Sequence, residues 1–338
     1  MIITGPKNCI TDIPGLKIGQ AEDAGVKTGV TVILPDMPAR AAVDVRGGGP
    51  GTREIMALEP GGLIDKVHAV VLSGGSVYGL AAADGVTARL GAQGRGYAPG
   101  PNIPVSPIVP SAILFDNANG GSKAWGTQPP FRALGMAACD AARNDVREGA
   151  AGAGYGAMAG IYPGGIGTAS EVVAIPSGDI TVGAIIAANP VGSPYLPGTQ
   201  CPHAWLYEAG GEFGGARPPA DYALKPARDT KLDVLAAREA AGGSAAGQST
   251  VIGCVAINVG AAQSDLKRIA IMAQDGLAMA VQPSHTPLDG DTLFAIGISE
   301  FGIDSAPLSP VSLALIGQAA ARTVARALTR GVIMARRG

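Results

Sequence analysis

Short apolar, β-prone runs separated by glycine and proline make up the first part of the chain. Residues 16–18, 29–34 and 41–46 predict strands, because β-branched residues suit an extended backbone. The apolar run at 69–72 predicts a buried strand. Apolar residues then recur at three- and four-residue intervals from 78 to 90, which indicates a helix. The N-terminal part therefore combines strands with a helix.

Proline and glycine divide the middle of the chain into short elements. The glycines at 149–167 indicate turns and a tightly packed hairpin. The other elements predicted in this part are an extended segment at 99–110, strands at 112–115, 170–175 and 180–188, and a helix at 131–143. From 192 to 247 the periodicity is lost, which predicts exposed loops with one short helix near 232–240.

Regular patterning returns in the last third. Residues 250–257 form an unbroken apolar, β-prone run, and 292–298 predict a second buried strand. The helices predicted here are one capped by Ser264 and extending to about 280, and one at 311–330 with Gly331 just beyond it. Strands and helices are mixed without strict alternation, and no linker divides them. The pattern favours one α/β (α+β) domain over residues 1–338, a layered sandwich rather than a barrel.

Composition narrows the class of partner. Lys and Arg together number 25 against 27 Asp and Glu, so no broad positive field exists to hold nucleic acid or an anionic membrane. No stretch reaches the roughly 18 apolar residues of a membrane span, and the start of the chain lacks a leader pattern, so we expect a cytoplasmic protein. The 51 glycines suit closely packed backbones and favour a homo-oligomer.

Cysteine and histidine spacing indicates neither a metal site nor a disulfide framework. The three histidines are His68 before an apolar strand, His203 in a loop and His285 in a proline-flanked turn. Each fits a packed or surface role better than that of a catalytic base. We therefore expect no cofactor, no metal and a chemistry that does not depend on histidine.

Two familiar motifs are incomplete. The glycine-rich residues 47–52 lack the Gly-Lys-Ser/Thr ending of a phosphate-binding loop and are better explained as a turn. Ser76 lies between strand and helix as in a nucleophile elbow, but Tyr78 stands where that turn needs a small residue. We interpret Ser76 as a helix cap.

Thr250 is a candidate nucleophile whose own α-amine, once freed, could serve as its general base. It follows a loop predicted to be exposed, which ends at Ser249, and it begins a buried strand. If the Ser249–Thr250 peptide is cut, Thr250 gains an α-amine of pKa about 7.7 to 8.0, close enough to neutrality to deprotonate its own hydroxyl. The alternative is that threonine simply favours the start of a strand.

Asp289 and Asp291 flank Gly290 just before a predicted strand. In an extended backbone, residues two apart point to the same side. Mutual repulsion could then raise the pKa of one carboxylate and let the pair share a proton. A surface turn is the alternative interpretation.

Several further motifs occur in order along the chain. They are 10-ITDIPG-15, 28-TGVTV-32, 44-DVRGG-48, 72-LSGGSVYGL-80, 164-GGIGTAS-170, 189-NPVG-192 and 285-HTPLDGDTLF-294. Together with the strand at Thr250, they resemble the DmpA-type peptidases, which include β-aminopeptidases and nylon-oligomer hydrolases. The resemblance covers nearly the whole chain.

The resemblance implies a four-layer αββα sandwich of the DmpA or ornithine-acetyltransferase type, made as an inactive precursor. Cleavage between Ser249 and Thr250 would give a larger chain, 1–249, and a smaller one, 250–338. Assembly as a tetramer or larger is also implied. The substrate would be a small peptide or amide, hydrolysed without a metal or organic cofactor.

The resemblance also implies roles at the site. Thr250 matches the nucleophile, Asp289 and Asp291 match the pair that assists it, and Asn189 matches the amide that steadies the oxyanion. An uncharged donor held at a strand end can be aimed where negative charge develops.

Two departures from the nylon hydrolases concern substrate recognition. This chain has Phe115 before an aspartate where they place a tyrosine, and Ile161 where they place a lysine after a glycine-rich turn. Two alternatives therefore stay open. One is an acyltransferase of the ornithine-acetyltransferase kind, and the other is an inactive relative with a binding role.

Overall fold

The computed structural model describes residues 2–223, 225–226, 229–242, 249–299 and 307–337. Its strands are β1 (Leu16–Asp23), β2 (Thr28–Pro35), β3 (Ala39–Val45), β4 (Thr52–Arg53), β5 (Lys66–Val67), β6 (Val70–Ser73), β7 (Ser111–Ile113), β8 (Met158–Ala159), β9 (Tyr162–Pro163), β10 (Gly165–Ile175), β11 (Gly178–Asn189), β12 (Thr250–Ile257) and β13 (Thr292–Gly297). The α-helices are α1 (Ala81–Ala92), α2 (Phe131–Asp140), α3 (Leu232–Ala240), α4 (Gln263–Ala273), α5 (Asp275–Ala280) and α6 (Pro310–Arg337).

The strands form two large sheets. The first has the order β1-β2-β6-β7-β4, and the second has the order β10-β11-β12-β13-β3-β5. In the second sheet, β11 and β12 are antiparallel, whereas β12 and β13 are parallel. Strand β3 follows β2 closely in sequence but joins the other sheet, where it pairs with β13. The two sheets are therefore connected early in the chain.

Three apolar layers hold the sheets and helices together. Helices α1 and α2 cover the outer face of the first sheet, the two sheets face each other, and α4, α5 and α6 cover the outer face of the second. Strand β12 shows why its sequence is apolar throughout. Ile252 and Cys254 pack between the sheets, and Val251 and Val255 pack under the helices. A strand buried on both faces needs no polar alternation. The predicted αββα sandwich is confirmed.

Three residues predicted to cap or end a helix have other roles in the structure. Ser76 is not a side-chain cap. It is the first residue of a 3₁₀ helix, Ser76–Leu80, that precedes α1 and whose N-cap is Gly75. Ser264 is not a cap either, because α4 begins one residue earlier, behind Ala262. Both serines lie in the first turn, where a shift of one residue changes which side chain can reach the free amides.

Gly331 does not end the last helix, as α6 continues to Arg337. A Cβ on Gly331 would lie 2.7 Å from the nitrogen of Gly167 in β10. This glycine lets the helix and the strand backbones approach closely, rather than forming a C-cap.

The stretch predicted as exposed loops, 192–247, is partly buried in its described residues. Cys201 and Phe213 are buried, and Glu212 pairs with Arg326, a fully buried arginine of α6. The predicted short helix is present as α3. No described helix is long and apolar enough to cross a membrane.

Candidate active site

Thr250 and Asn189 lie opposite each other at one end of the second sheet. Asn189 is the last residue of β11 and Thr250 the first of β12, and they are register partners. Both are buried, with exposed fractions of 0 % and 3 %. The sheet therefore fixes two of the predicted site residues side by side, although 61 positions separate them in sequence.

Ser249 continues the pairing beyond the strand. It forms a bridge with Asp289, and its carbonyl oxygen accepts a hydrogen bond from the Gly290 amide at 3.1 Å. The Thr250 hydroxyl also donates to that oxygen, across a short contact. The nucleophile candidate thus lies against the carbonyl of the peptide that would be cut.

The expectation of an exposed junction was wrong for Ser249, which is fully buried. Gly247 and Gln248, the rest of that loop, lie outside the described residues. Ser249 is buried because it continues the sheet and pairs with the turn before β13. An attacking group in the same chain does not need access from solvent.

Asp291 holds the backbone just after Thr250. Its Oδ1 accepts from the Val251 amide at 2.8 Å, and its Oδ2 lies 2.8 Å from Nδ1 of His285. The His285 amide also donates to Oδ2, at 3.2 Å. His285 was set aside in the sequence as a turn residue. Only its position six residues before Asp291, in the same motif, pointed to this contact.

Asp289 holds the turn that follows β11. Its Oδ1 accepts from the Val191 amide at 3.1 Å, and its Oδ2 accepts from the Thr286 amide and hydroxyl at 3.0 and 2.6 Å. Burial raises the pKa of Asp289, and the nearby charge of Asp291 raises it further. The repulsion expected between the two carboxylates is present, but burial is the larger cause. Each carboxylate has its own set of partners.

The incomplete phosphate-loop motif packs against the Asp289 turn. The Gly49 amide donates to the Asp289 carbonyl at 2.9 Å. Gly47 has φ of +87°, and a Cβ there would lie 2.4 Å from the Asp289 carbonyl oxygen. As expected, these glycines form a turn. Their lack of side chains allows the backbone to support the carboxylate turn.

Three contacts orient the Asn189 carboxamide. Its Nδ2 donates to the Phe115 carbonyl at 2.9 Å, and its Oδ1 accepts from the Met158 amide at 2.9 Å and from Lys231 Nζ at 3.2 Å. Two donors on one side and an acceptor on the other fix the amide's orientation. One N–H of Nδ2 is used by Phe115, and the second has no acceptor among the residues that the structure describes.

Lys231 is a site residue that the sequence did not reveal. Its Nζ lies 3.2 Å from the Asn189 carbonyl oxygen, 3.2 Å from Asn189 Oδ1 and 3.2 Å from Ser249 Oγ. Burial lowers the pKa of Lys231 to about 7, partly opposed by the charge of Asp289. It lies just before α3, at the end of an irregular stretch with no motif. Only the tertiary structure brings it to the Ser249–Thr250 junction.

A cavity of about 230 Å³ opens beside this group. Its apolar wall includes Phe115, Met158, Ile161 and Leu235, and Lys231 and Arg238 provide its charge. Phe115 and Ile161, the two departures from the nylon hydrolases, therefore both line this cavity. Ile161 supplies no ammonium where the nylon hydrolases have a lysine, but Lys231 places an ammonium in the same cavity. Among the described residues, no His, Cys, Asp or Glu cluster could hold a metal ion.

Asp116 supports the backbone on the other side of Asn189. It is fully buried and accepts from the Thr28 hydroxyl at 2.6 Å and the Gly75 amide at 2.7 Å. Burial raises the pKa of Asp116. These bonds fix the segment whose Phe115 carbonyl receives the Asn189 amide.

Comparison with known proteins places this arrangement in a family. Residues 8–337 match peptidase family S58. An uncharacterized aminopeptidase of Mycobacterium tuberculosis is 40% identical over 345 residues, which cover 97% of this chain and 94% of that protein. A 6-aminohexanoate-oligomer endohydrolase of Kocuria sp. is 30% identical over 320 residues, which cover 90% of this chain and 79% of that protein.

Solved structures agree in fold. A protein of Pyrococcus horikoshii has a TM-score of 0.72 at 21% identity, with 98% of this chain and 88% of that chain covered. The L-aminopeptidase D-Ala-esterase/amidase of Ochrobactrum anthropi has a TM-score of 0.68 at 21% identity, with 99% and 88% covered. That enzyme is described as a new variant among the Ntn hydrolase fold.

The chain belongs to peptidase family S58, the DmpA-type peptidases that its motifs resemble. It is a hydrolase of the amidase and aminopeptidase class, which acts on amide or peptide bonds. The predicted family and enzyme class are confirmed.

Proposed function

We propose that the protein cuts itself between Ser249 and Thr250 and then hydrolyses small peptides or amide oligomers through an acyl-Thr250 intermediate. The observation that carries this proposal is the contact of the Thr250 hydroxyl with the Ser249 carbonyl oxygen. Nucleophile and target share one buried sheet end, so the attack needs no diffusion and little reorganisation.

The first reaction moves an acyl group from nitrogen to oxygen. The Thr250 hydroxyl oxygen bonds to the Ser249 carbonyl carbon, and the C–N bond to Thr250 breaks. The hydroxyl proton ends on the leaving nitrogen, which becomes the α-amine of Thr250. Water then adds to the ester, which breaks to give the Ser249 carboxylate and restores the hydroxyl.

Negative charge develops on the Ser249 carbonyl oxygen during this attack. The Gly290 amide already donates to that oxygen at 3.1 Å, and the unused N–H of Asn189 Nδ2 is the second candidate donor. Fixed donors of this kind stabilise the oxyanion without reorienting during the reaction.

Turnover repeats the same chemistry on a separate substrate. The new α-amine of Thr250 takes the hydroxyl proton, and the oxygen attacks the substrate carbonyl. The amine part of the substrate leaves with that proton, and water releases the acyl part. Asp291 keeps the backbone in place through the Val251 amide.

The cavity supports a proposal about the groups that the substrate carries. Its volume of about 230 Å³ and its apolar wall suit a small apolar chain. The described residues that line it include two cationic side chains, Lys231 and Arg238, and no carboxylate. We therefore expect the group that enters the cavity to be mainly apolar.

Mass spectrometry of the denatured protein tests the first step. After incubation, two masses for residues 1–249 and 250–338 are expected, and one intact mass would contradict the proposal. A slowly hydrolysed ester substrate should then add its acyl mass to the smaller chain. Adding amines and finding transfer product instead of free acid would favour the acyltransferase alternative.

A further inference from the structure

The contacts of Ser249 can be used to infer how the acyl part of a substrate is bound. In self-cleavage the Ser249 carbonyl becomes the ester on Thr250, and in turnover the substrate carbonyl takes that position. The residue on the acyl side of a substrate bond must therefore occupy the space of Ser249. This step rests on the proposed function.

Lys231 forms a hydrogen bond with one particular atom of Ser249, its hydroxyl oxygen. Its Nζ lies 3.2 Å from Ser249 Oγ, which is the substituent on the β-carbon. The same nitrogen is 3.2 Å from two oxygens of Asn189. These three acceptors match the three donors of an ammonium group.

The backbone of Lys231 is fixed as well. Its amide donates to the Val191 carbonyl at 2.9 Å, and Leu235, one turn later in α3, packs against Val191 and Leu288. In the folded chain these two contacts hold the Lys231 backbone next to β11. When Ser249 leaves after cleavage, one N–H of Lys231 faces the vacated space, next to the cavity.

We propose that Lys231 is a specificity-determining residue that recognises a hydrogen-bond acceptor on the β-carbon of the acyl residue. Its first ligand is the Ser249 hydroxyl in self-cleavage. Its second is the corresponding group of the substrate. Seryl and threonyl amides are therefore better substrates than the alanyl amide.

Self-cleavage rates provide the first test through a double-mutant cycle. Ser249→Ala and Lys231→Met each remove one partner of the same hydrogen bond, and each should slow cleavage about 10-fold or more. The double variant should be little slower than Lys231→Met alone, which also loses the two contacts with Asn189. Lys17→Met, which changes an exposed lysine paired with Asp36, serves as the control and should cleave as the wild type does.

Substrate selectivity provides the second test, on enzyme that has completed cleavage. The ratio of kcat/KM for seryl over alanyl p-nitroanilide should be about 10 in the wild type and close to one in Lys231→Met. A loss of folding would lower both values without changing their ratio.

Two outcomes overturn this inference while leaving the proposed function intact. They are independent, multiplicative effects of the two substitutions, and a seryl preference retained in Lys231→Met. A wild-type chain that never cleaves overturns the proposed function itself, and this inference with it.

Discussion

The two sides of the Ser249–Thr250 bond are held very differently. Every residue of β12, on the downstream side, is buried, and the strand lies between neighbours on both edges. On the upstream side, α3 buries only Leu235, in a small cluster with Val191 and Leu288.

This difference suits the proposed reaction, in which Thr250 stays in place while the new C-terminus at Ser249 moves out of the site. The nucleophile must stay fixed to within a fraction of an ångström through many turnovers. The acyl segment that ends at Ser249 must leave after the ester is hydrolysed. A rigid strand that begins at Thr250 and a weakly packed helix that ends earlier, at Ala240, suit these two requirements.

The largest expected effect comes from removing the nucleophile. Thr250→Ala should abolish self-cleavage and lower hydrolysis by about 1,000-fold or more, because no hydroxyl is left to form the acyl intermediate. Denaturing mass spectrometry and an amide hydrolysis assay measure both. Thr250→Ser, which keeps the hydroxyl, is the matched control and should still cleave. Activity that survives in Thr250→Ala would show that Thr250 is not the nucleophile.

A pair of core truncations tests the comparison of the two sides directly. Ile252→Ala in β12 should lower the free energy of unfolding by about 3 kcal/mol, since it leaves a cavity between the sheets. Leu235→Ala in α3 should lower it by less than about 1 kcal/mol, because α3 can detach locally. Urea unfolding in a Thr250→Ala background keeps the chain intact. Equal losses would mean that α3 is part of the cooperative core.

The charge of Lys231 predicts a pH-dependent stability. Burial lowers the pKa of Lys231 to about 7 in the folded protein, whereas an unfolded lysine titrates near 10.4. Between these values the unfolded state binds more protons, so this group makes stability rise with pH. Below pH 7, Lys231 is charged in both the folded and the unfolded state. The full free-energy cost of burying that charge then opposes folding.

Lys231→Met removes that cost. In the Thr250→Ala background, its Tm should exceed that of the parent most at pH 6, and the gap should shrink as pH approaches 10. Thermal unfolding at several pH values measures this, with Lys17→Met as the control. A gap that does not change with pH would mean that Lys231 keeps an ordinary pKa.

The smallest expected effect concerns the rim of the cavity. Ile161 is 53% exposed there, and Ile161→Lys would add a third cation beside Lys231 and Arg238. A partly exposed charge contributes about 0.2 to 1 kcal/mol. The kcat/KM for substrates with an anionic acyl chain should rise about twofold, and that for cationic chains should fall. Ile161→Met, neutral and of similar size, should change neither, and a change common to all substrates would contradict the charge argument.

Local elements were predicted well where the pattern was strong. The run 250–257 coincides with β12, and the short helix near 232–240 coincides with α3. Among the wrong predictions, Ser76 and Ser264 as caps and Gly331 as a helix end concern termini. There a single packing contact, such as that of Gly331 with β10, outweighs local preference.

The site could be assembled from the sequence only in part. Thr250, Asp289, Asp291 and Asn189 were assigned roles through the resemblance to a family, while the residues alone left each with an ordinary structural alternative. The structure brings all four to one sheet end. Their catalytic roles and the position of cleavage remain predictions. Lys231 had no pattern that would have selected it, and only its place in the motif of Asp291 pointed to His285.

By itself, the sequence determined the strands and helices, the burial of β12 on both faces, and the family. These follow from local propensity and apolar periodicity, which act over a few neighbouring residues. The tertiary structure decided that β3 joins the second sheet, that Asn189 pairs with Thr250, and that Lys231 reaches Ser249. It also decided the raised pKa of Asp289 and the lowered pKa of Lys231. Burial and nearby charge arise only when distant segments meet.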